Sequence, residues 1–110
     1  MTQGIGYVTL LVRDYDEAIE FYTEKLQFDL LEDAQLSGEK RWVLVAPPGN
    51  PGCCLLLARA ASPAQESSIG NQAGGRVFLF LHTDDFFCRY NEMKSQGIEF
   101  LEEPSAVGPK

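Results

Sequence analysis

The sequence has few of the features that mark membrane, secreted or nucleic-acid-binding proteins. No apolar run approaches the roughly 20 residues that cross a bilayer, and the first four residues, MTQG, lack the basic and apolar regions of a secretory leader. Nine Lys and Arg against 16 Asp and Glu give a formal charge of −7, with no basic cluster to offset it. We therefore expect a soluble, cytoplasmic protein with no membrane or nucleic-acid partner.

Histidine and cysteine, the usual ligands of transition metals, are also scarce. The chain has one His and three Cys, namely Cys53, Cys54 and Cys88, and no C-x-x-C spacing occurs. Adjacent strand residues point to opposite faces, which disfavours a bridge between Cys53 and Cys54. We expect reduced cysteines with no redox or metal role.

The chain does contain an internal repeat, and its first copy runs from Tyr7 to Phe28. An apolar run of strand length, Tyr7–Val12, is followed by Asp14 and Glu17, whose spacing is typical of a helix N-terminus. The spacing of the apolar residues that follow predicts one buried stripe on this helix, formed by Tyr15, Ala18, Ile19, Tyr22 and Leu26.

The second copy runs from Val77 to Phe100, with Asp85 in the place of Asp14 and Gly97 in the place of Gln27. Its helix is one residue shorter than the first. We predict a strand at Arg76–His82, a helix at Asp85–Gln96 and a strand at Ile98–Glu102.

Between the two copies the sequence predicts strands at Phe28–Leu36, Arg41–Ala46 and Cys53–Ala58, then a small, polar linker. The prediction is one α+β domain of paired βαβββ modules, with module one at 1–59, the linker at 60–75 and a partial module two at 76–110. Residues 104–110 cannot supply the last two strands. Either the natural protein is longer, or a partner covers the unfinished sheet edge.

This pattern resembles the glyoxalase, bleomycin-resistance and extradiol-dioxygenase superfamily, also called the vicinal oxygen chelate fold. The resemblance rests on a strand-end Asp, an F-Y pair, a Leu and a Phe in module one, and on a smaller set in module two. These residues are Val12, Arg13, Asp14, Ala18, Phe21, Tyr22, Leu26 and Phe28, then Thr83, Asp84, Asp85, Gly97 and Phe100. It implies two curved sheets whose concave faces enclose one pocket.

The resemblance also implies where a metal would bind in members that use one. In those members each module gives the metal a first ligand seven residues before the strand-end Asp. The equivalent residues here are Tyr7 and Phe78, and neither is a His. The strand that would supply a carboxylate, Cys53–Ala58, contains no Asp, Glu or His. We therefore expect no metal and no other cofactor, and we assign no catalytic residue.

Strand parity predicts the residues that line the pocket. Residues two apart share one face of a strand, so the first strands of the two modules each contribute three side chains. Trp42 is added, although its face cannot be fixed from the sequence. The predicted pocket residues are Tyr7, Thr9, Leu11, Trp42, Phe78, Phe80 and His82. For His82, contact with a ligand and a structural hydrogen bond at the strand end both remain open.

Three functions are compatible with these residues. The first is metal-free binding of a small, apolar or partly aromatic molecule by a homodimer, as the resemblance to bleomycin-resistance proteins implies. The second is a metal-dependent lyase, isomerase or dioxygenase of the same superfamily with atypical ligands. The third is a structural or interaction protein whose cavity is filled by its own side chains.

Overall fold

A computed structural model describes residues 2–49 and 52–100 of the chain. Its strands are β1 (Tyr7–Val12), β2 (Asp29–Gln35), β3 (Arg41–Ala46) and β4 (Cys54–Arg59), and its α-helices are α1 (Tyr15–Glu20), α2 (Pro63–Ser68) and α3 (Phe86–Ser95). The described strands form one sheet in the order β1-β4-β3-β2. β1 lies parallel to β4, whereas β3 is antiparallel to both of its neighbours. The α+β fold and the βαβββ order of module one are confirmed.

The helix of module one begins where the sequence predicts. Asp14 has an extended backbone, and its Oδ2 accepts a hydrogen bond from the Glu17 N–H at 2.8 Å. The Glu17 carboxylate does not complete a capping box, because it pairs with the Arg13 guanidinium at 2.7 Å. After Glu20 the helix continues as a π-helical turn, Phe21–Lys25, in which the Leu26 N–H bonds to the carbonyl of Phe21 at 3.2 Å. The Asp14 cap thus fixes the point at which the chain leaves β1 and enters the helix.

The core lies between the sheet and α1. Alternate residues of each strand face the helix, because side chains alternate between the two faces of a sheet. Val43, Val45 and Leu57 are the largest fully buried side chains of the described residues. The buried cluster consists of Leu10, Val12, Tyr15, Ala18, Phe28, Val43, Val45, Leu55 and Leu57. This packing leaves the opposite face of the sheet, which we call the open face, without a covering layer from the described strands and helices of module one.

Module two departs from the sequence prediction in its strands. The predicted strand at Arg76–His82 is wrong, since these residues do not join the sheet, and residues 98–100 form no strand either. The rest of the second predicted strand lies outside the described residues. The helix is confirmed, and Asp85 caps it by accepting a bond from the Cys88 N–H at 3.2 Å. A helix forms its backbone hydrogen bonds within itself, whereas a strand forms them with a neighbouring strand.

Arg41 at the start of β3 joins three parts of module one. Its guanidinium makes two bonds to Asp33 of β2, at 2.7 and 3.2 Å, and one to Asp16 of α1 at 2.9 Å. It also lies over the Tyr15 ring, 5.2 Å from the centroid. The bonds to Asp33, and then to Asp16, raise the pKa of this guanidinium further above its usual value. Arg41 therefore fixes α1 and β2 relative to β3.

We expect Arg41→Gln to lower the free energy of unfolding by about 1–2 kcal/mol, because it removes a forked contact to a half-buried carboxylate. Arg59→Gln is the matched control, since it removes the same charge. Its one pair, with the exposed Glu39 at 3.3 Å, should contribute less than about 0.5 kcal/mol. Urea denaturation of both variants checks the difference. Equal losses would contradict the structural role of Arg41.

Candidate functional site

Four of the seven predicted pocket residues lie together on the open face. The pairing of Tyr7 with Cys54 and of Thr9 with Leu56 places these side chains on the face away from α1. Leu44 pairs with Leu56 and shares this face. Leu11 lies two residues after Thr9 on β1, and Trp42 lies two residues before Leu44 on β3, so both side chains are on this face as well. The part of the open face formed by β1, β4 and β3 is therefore mainly apolar, with the Thr9 hydroxyl as a polar point, and β2 adds the Glu32 carboxylate beside Leu44.

An aromatic pair spans the open face. The Tyr7 and Trp42 rings meet edge to face, with centroids 5.7 Å apart and planes at 84°. The two residues come from β1 and β3, with β4 between them, so their side chains reach across the central strand. Tyr7 is 53% exposed and Trp42 is half-buried. Such a pair offers flat apolar surface to a ligand, and the phenol adds a hydrogen-bonding group.

No described ring contact or side-chain hydrogen bond joins the other three predicted residues to this group. Phe78 packs against the core cluster of module one. Phe80 is 70% exposed. His82 lines a cavity of about 390 Å³ together with Phe28, Pro47, Pro48, Leu81, Thr83, Asp84 and Arg89. The assignment of Phe78, Phe80 and His82 to one pocket with Tyr7 remains a prediction.

The residues at the family's metal positions do not fit a divalent metal ion. Tyr7 packs against Trp42, Phe78 has no donor atom, and β4 presents only apolar side chains and one thiol to the open face. Within residues 2–49 and 52–100, no group of three or more His, Cys, Asp or Glu side chains is placed to share an ion. Cys53, Cys54 and Cys88 are not joined by a disulfide within the described residues. We derive no reaction step through a metal.

The sequence gives no indication of a second cavity, a groove of about 560 Å³ beside α1. It lies between the end of β1, the π-helical turn and residues 69–72. Tyr22 forms part of its wall, and burial raises the pKa of this phenol. The side-chain amide of Gln72 closes one side through two bonds to the Leu11 backbone. Contacts between residues 61 positions apart leave no local pattern that could have predicted this groove.

Arg89 of α3 connects module two to the end of the first helix. Its guanidinium donates to the Leu26 carbonyl at 2.9 Å and to the Gln27 Oε1 at 3.0 Å, and it pairs with Glu92 at 2.9 Å. Gln27 has a positive φ of 59°, which ends the helix. The cation therefore satisfies a carbonyl at a helix C-terminus, where positive charge is favourable. This contact holds α3 beside module one.

The fold agrees with a comparison to known families. Residues 4–110 match the model of the Glyoxalase/Bleomycin resistance protein/Dioxygenase superfamily. The chain belongs to this superfamily. An uncharacterized protein of Shewanella frigidimarina (strain NCIMB 400) is 59% identical over 105 residues, which span 94% of this chain and 78% of that protein.

Two solved structures with 28% sequence identity resemble this one. UcmS2 aligns with a TM-score of 0.80 over 98% of this chain and 85% of its own. TnmS3, described as an antibiotic binding protein from Streptomyces sp. CB03234, aligns with a TM-score of 0.69 over 89% of this chain and 74% of its own. In the part of the chain that the structure describes, no helix has the length and apolar character of a membrane span.

Proposed function

We propose that this superfamily member binds a small, apolar or partly aromatic molecule on the open face without the help of a metal ion. The observation that carries the proposal is the Tyr7–Trp42 pair, which stands over an apolar sheet surface. In the proposal Tyr7, Thr9, Leu11 and Trp42 contact the ligand. The protein acts as a homodimer in the cytoplasm, as the sequence suggests.

The chemistry of the open face supports a ligand with a flat ring system. Trp42 and Tyr7 offer ring edges and faces, and the Leu44 and Leu56 side chains lie on the same side of the sheet. Small-molecule sites usually combine such apolar surface with a few polar groups that orient the ligand. Here Thr9 and the Tyr7 phenol are the polar groups. The antibiotic-binding description of TnmS3 is consistent with this ligand class.

The proposal retains Phe78, Phe80 and His82 as further ligand contacts. No described ring contact or side-chain hydrogen bond joins these three residues to the open face, so their part of the proposal needs its own test. Phe80 suits that test, because its exposed ring contributes little to the packing of the free protein. We expect Phe80→Ala to leave the melting temperature nearly unchanged. A lower ligand affinity in this variant then reports a contact with the ligand.

Trp42 makes the proposal directly measurable, because it is the only tryptophan in the chain. We expect bleomycin or a polycyclic aromatic probe such as daunorubicin to change the Trp42 emission in a saturable manner. The same probe should raise the melting temperature, since binding to the native state stabilises it. A higher melting temperature with unchanged Trp42 emission would contradict the open-face site. Zn, Ni, Mn or Fe in stoichiometric amount in the purified protein would favour the metal-dependent alternative.

A further inference from the structure

The edge strand β2 brings charge to the open face. Glu32 pairs with Leu44 and Ala34 pairs with Trp42, so both β2 side chains lie on this face. Asp29, which lies before the bulge in β2, is on the same face. Among the side chains that the four described strands place there, only Glu32 and Asp29 are charged, and both charges are negative. The strands contribute no Lys or Arg to this surface.

Glu32 lies beside the aromatic pair of the proposed site. It is two residues from Ala34, the cross-strand partner of Trp42, and is therefore the diagonal neighbour of Trp42. Diagonal neighbours on one face of an antiparallel pair are about 7–8 Å apart, within reach of long side chains. Ala34 has only a methyl group, so a ligand can approach the indole above it. A ring that lies against Trp42 at this point brings its substituents close to the Glu32 carboxylate.

The Glu32 carboxylate has no partner within residues 2–49 and 52–100. The side chain is exposed, and none of the hydrogen bonds or ion pairs of these residues involves it. The next residue, Asp33, points to the opposite face of the sheet and receives two bonds from Arg41, at 2.7 and 3.2 Å. One β2 carboxylate thus serves the packing of the fold, whereas its neighbour is available to a bound molecule.

We propose that the ligand of the open face is a cation, namely a flat aromatic molecule with an ammonium group that pairs with Glu32 while its rings contact Trp42. The faces of indole and phenol rings also attract positive charge, so Trp42 and Tyr7 favour the same ligand class. The inference rests on the proposed function, because it names the charge of the molecule that binds at that site.

The size of the expected effect follows from the exposure of Glu32. Ion pairs in contact with water contribute little, because water screens them and the side chain loses freedom when it pairs. A cation beside an exposed aromatic ring adds a similarly small amount. Together these contacts should make a cationic ligand bind about three- to tenfold more tightly than its neutral analogue.

The test compares daunorubicin with N-acetyldaunorubicin, which has the same ring system but no positive charge on its amino sugar. Calorimetric titration of the full chain should show the three- to tenfold advantage of daunorubicin at low ionic strength. The advantage should shrink at high ionic strength, because salt screens exposed charges. We expect Glu32→Gln to remove most of this advantage and to leave the affinity for N-acetyldaunorubicin unchanged.

Glu24→Gln is the matched control, because it removes the same charge from the π-helical turn on the other side of the sheet. Glu24 is exposed, and no described side chain pairs with it. We expect this variant to retain the preference for daunorubicin. Equal losses in the Glu24 and Glu32 variants would mean that the net charge of −7 attracts the cation from a distance, which would overturn the role of Glu32.

The two probes separate this inference from the proposed function. If both bind with equal affinity and both depend on Trp42, the ligand charge is not read and the inference is wrong, while the aromatic site stands. Tighter binding of N-acetyldaunorubicin would also overturn the inference. If neither probe binds, the proposed function fails and the inference fails with it.

Discussion

Leu57→Ala is expected to lower the free energy of unfolding by about 3 kcal/mol, within the range for leucine truncations in well-packed cores. Leu57 is 1% exposed and lies on the face of β4 that packs against α1. The alanine would leave a cavity between the sheet and the helix, which the surrounding side chains can fill only in part. Because a domain of this size is only marginally stable, much of the chain would unfold at moderate urea concentration.

The neighbouring residue provides the control for this prediction. Leu56 is half-buried on the open face, so Leu56→Ala removes the same atoms from a site with fewer contacts. We expect it to cost about 1 kcal/mol. Urea denaturation monitored by circular dichroism gives both values. If Leu56→Ala is as destabilising as Leu57→Ala, the open face is covered in solution by further protein.

Trp42→Ala is expected to weaken binding of the aromatic probe by about 10- to 100-fold, as buried aromatic contacts commonly do when truncated. The loss arises because the indole is one half of the ring pair that the ligand would contact. Trp42→Phe should retain much of the affinity. Calorimetric titration measures both variants, since the fluorescence of Trp42 is lost in each.

Phe21→Ala separates this site from the groove beside α1. Phe21 is 39% exposed, lines that groove and lies on the opposite side of the sheet from Trp42. We expect it to leave the affinity unchanged. If Phe21→Ala lowered the affinity for the probe more than Trp42→Ala did, the ligand would bind in the groove, which would contradict the proposed function.

Local patterns predicted the parts of the fold that depend on local interactions. Asp14 and Asp85 cap their helices as expected, because a side-chain oxygen and an N–H three residues later meet without help from the rest of the chain. The shared face of Tyr7, Thr9 and Leu11 also follows from alternation alone. These features required only the sequence and the geometry of one element.

Features that depend on distant residues could not be predicted in this way. The face of Trp42 follows from the register between β3 and β4, which no single strand encodes. Residues 76–82 have the composition of a strand but join no sheet, and composition alone does not specify which edge a strand pairs with. The bonds from Gln72 to Leu11 join an amide and a backbone that are 61 positions apart.

The π-helical turn at Phe21–Lys25 accounts for the unequal lengths of the two repeats. The first helix spans 27−14 = 13 positions from its cap to Gln27, and the second spans 97−85 = 12 positions from its cap to Gly97. Both end residues have positive φ, 59° and 88°, so they are equivalent stops. A wider turn absorbs one additional residue without moving either end of a helix. The two helices can therefore differ in length by one residue and still begin and end at equivalent points of their modules.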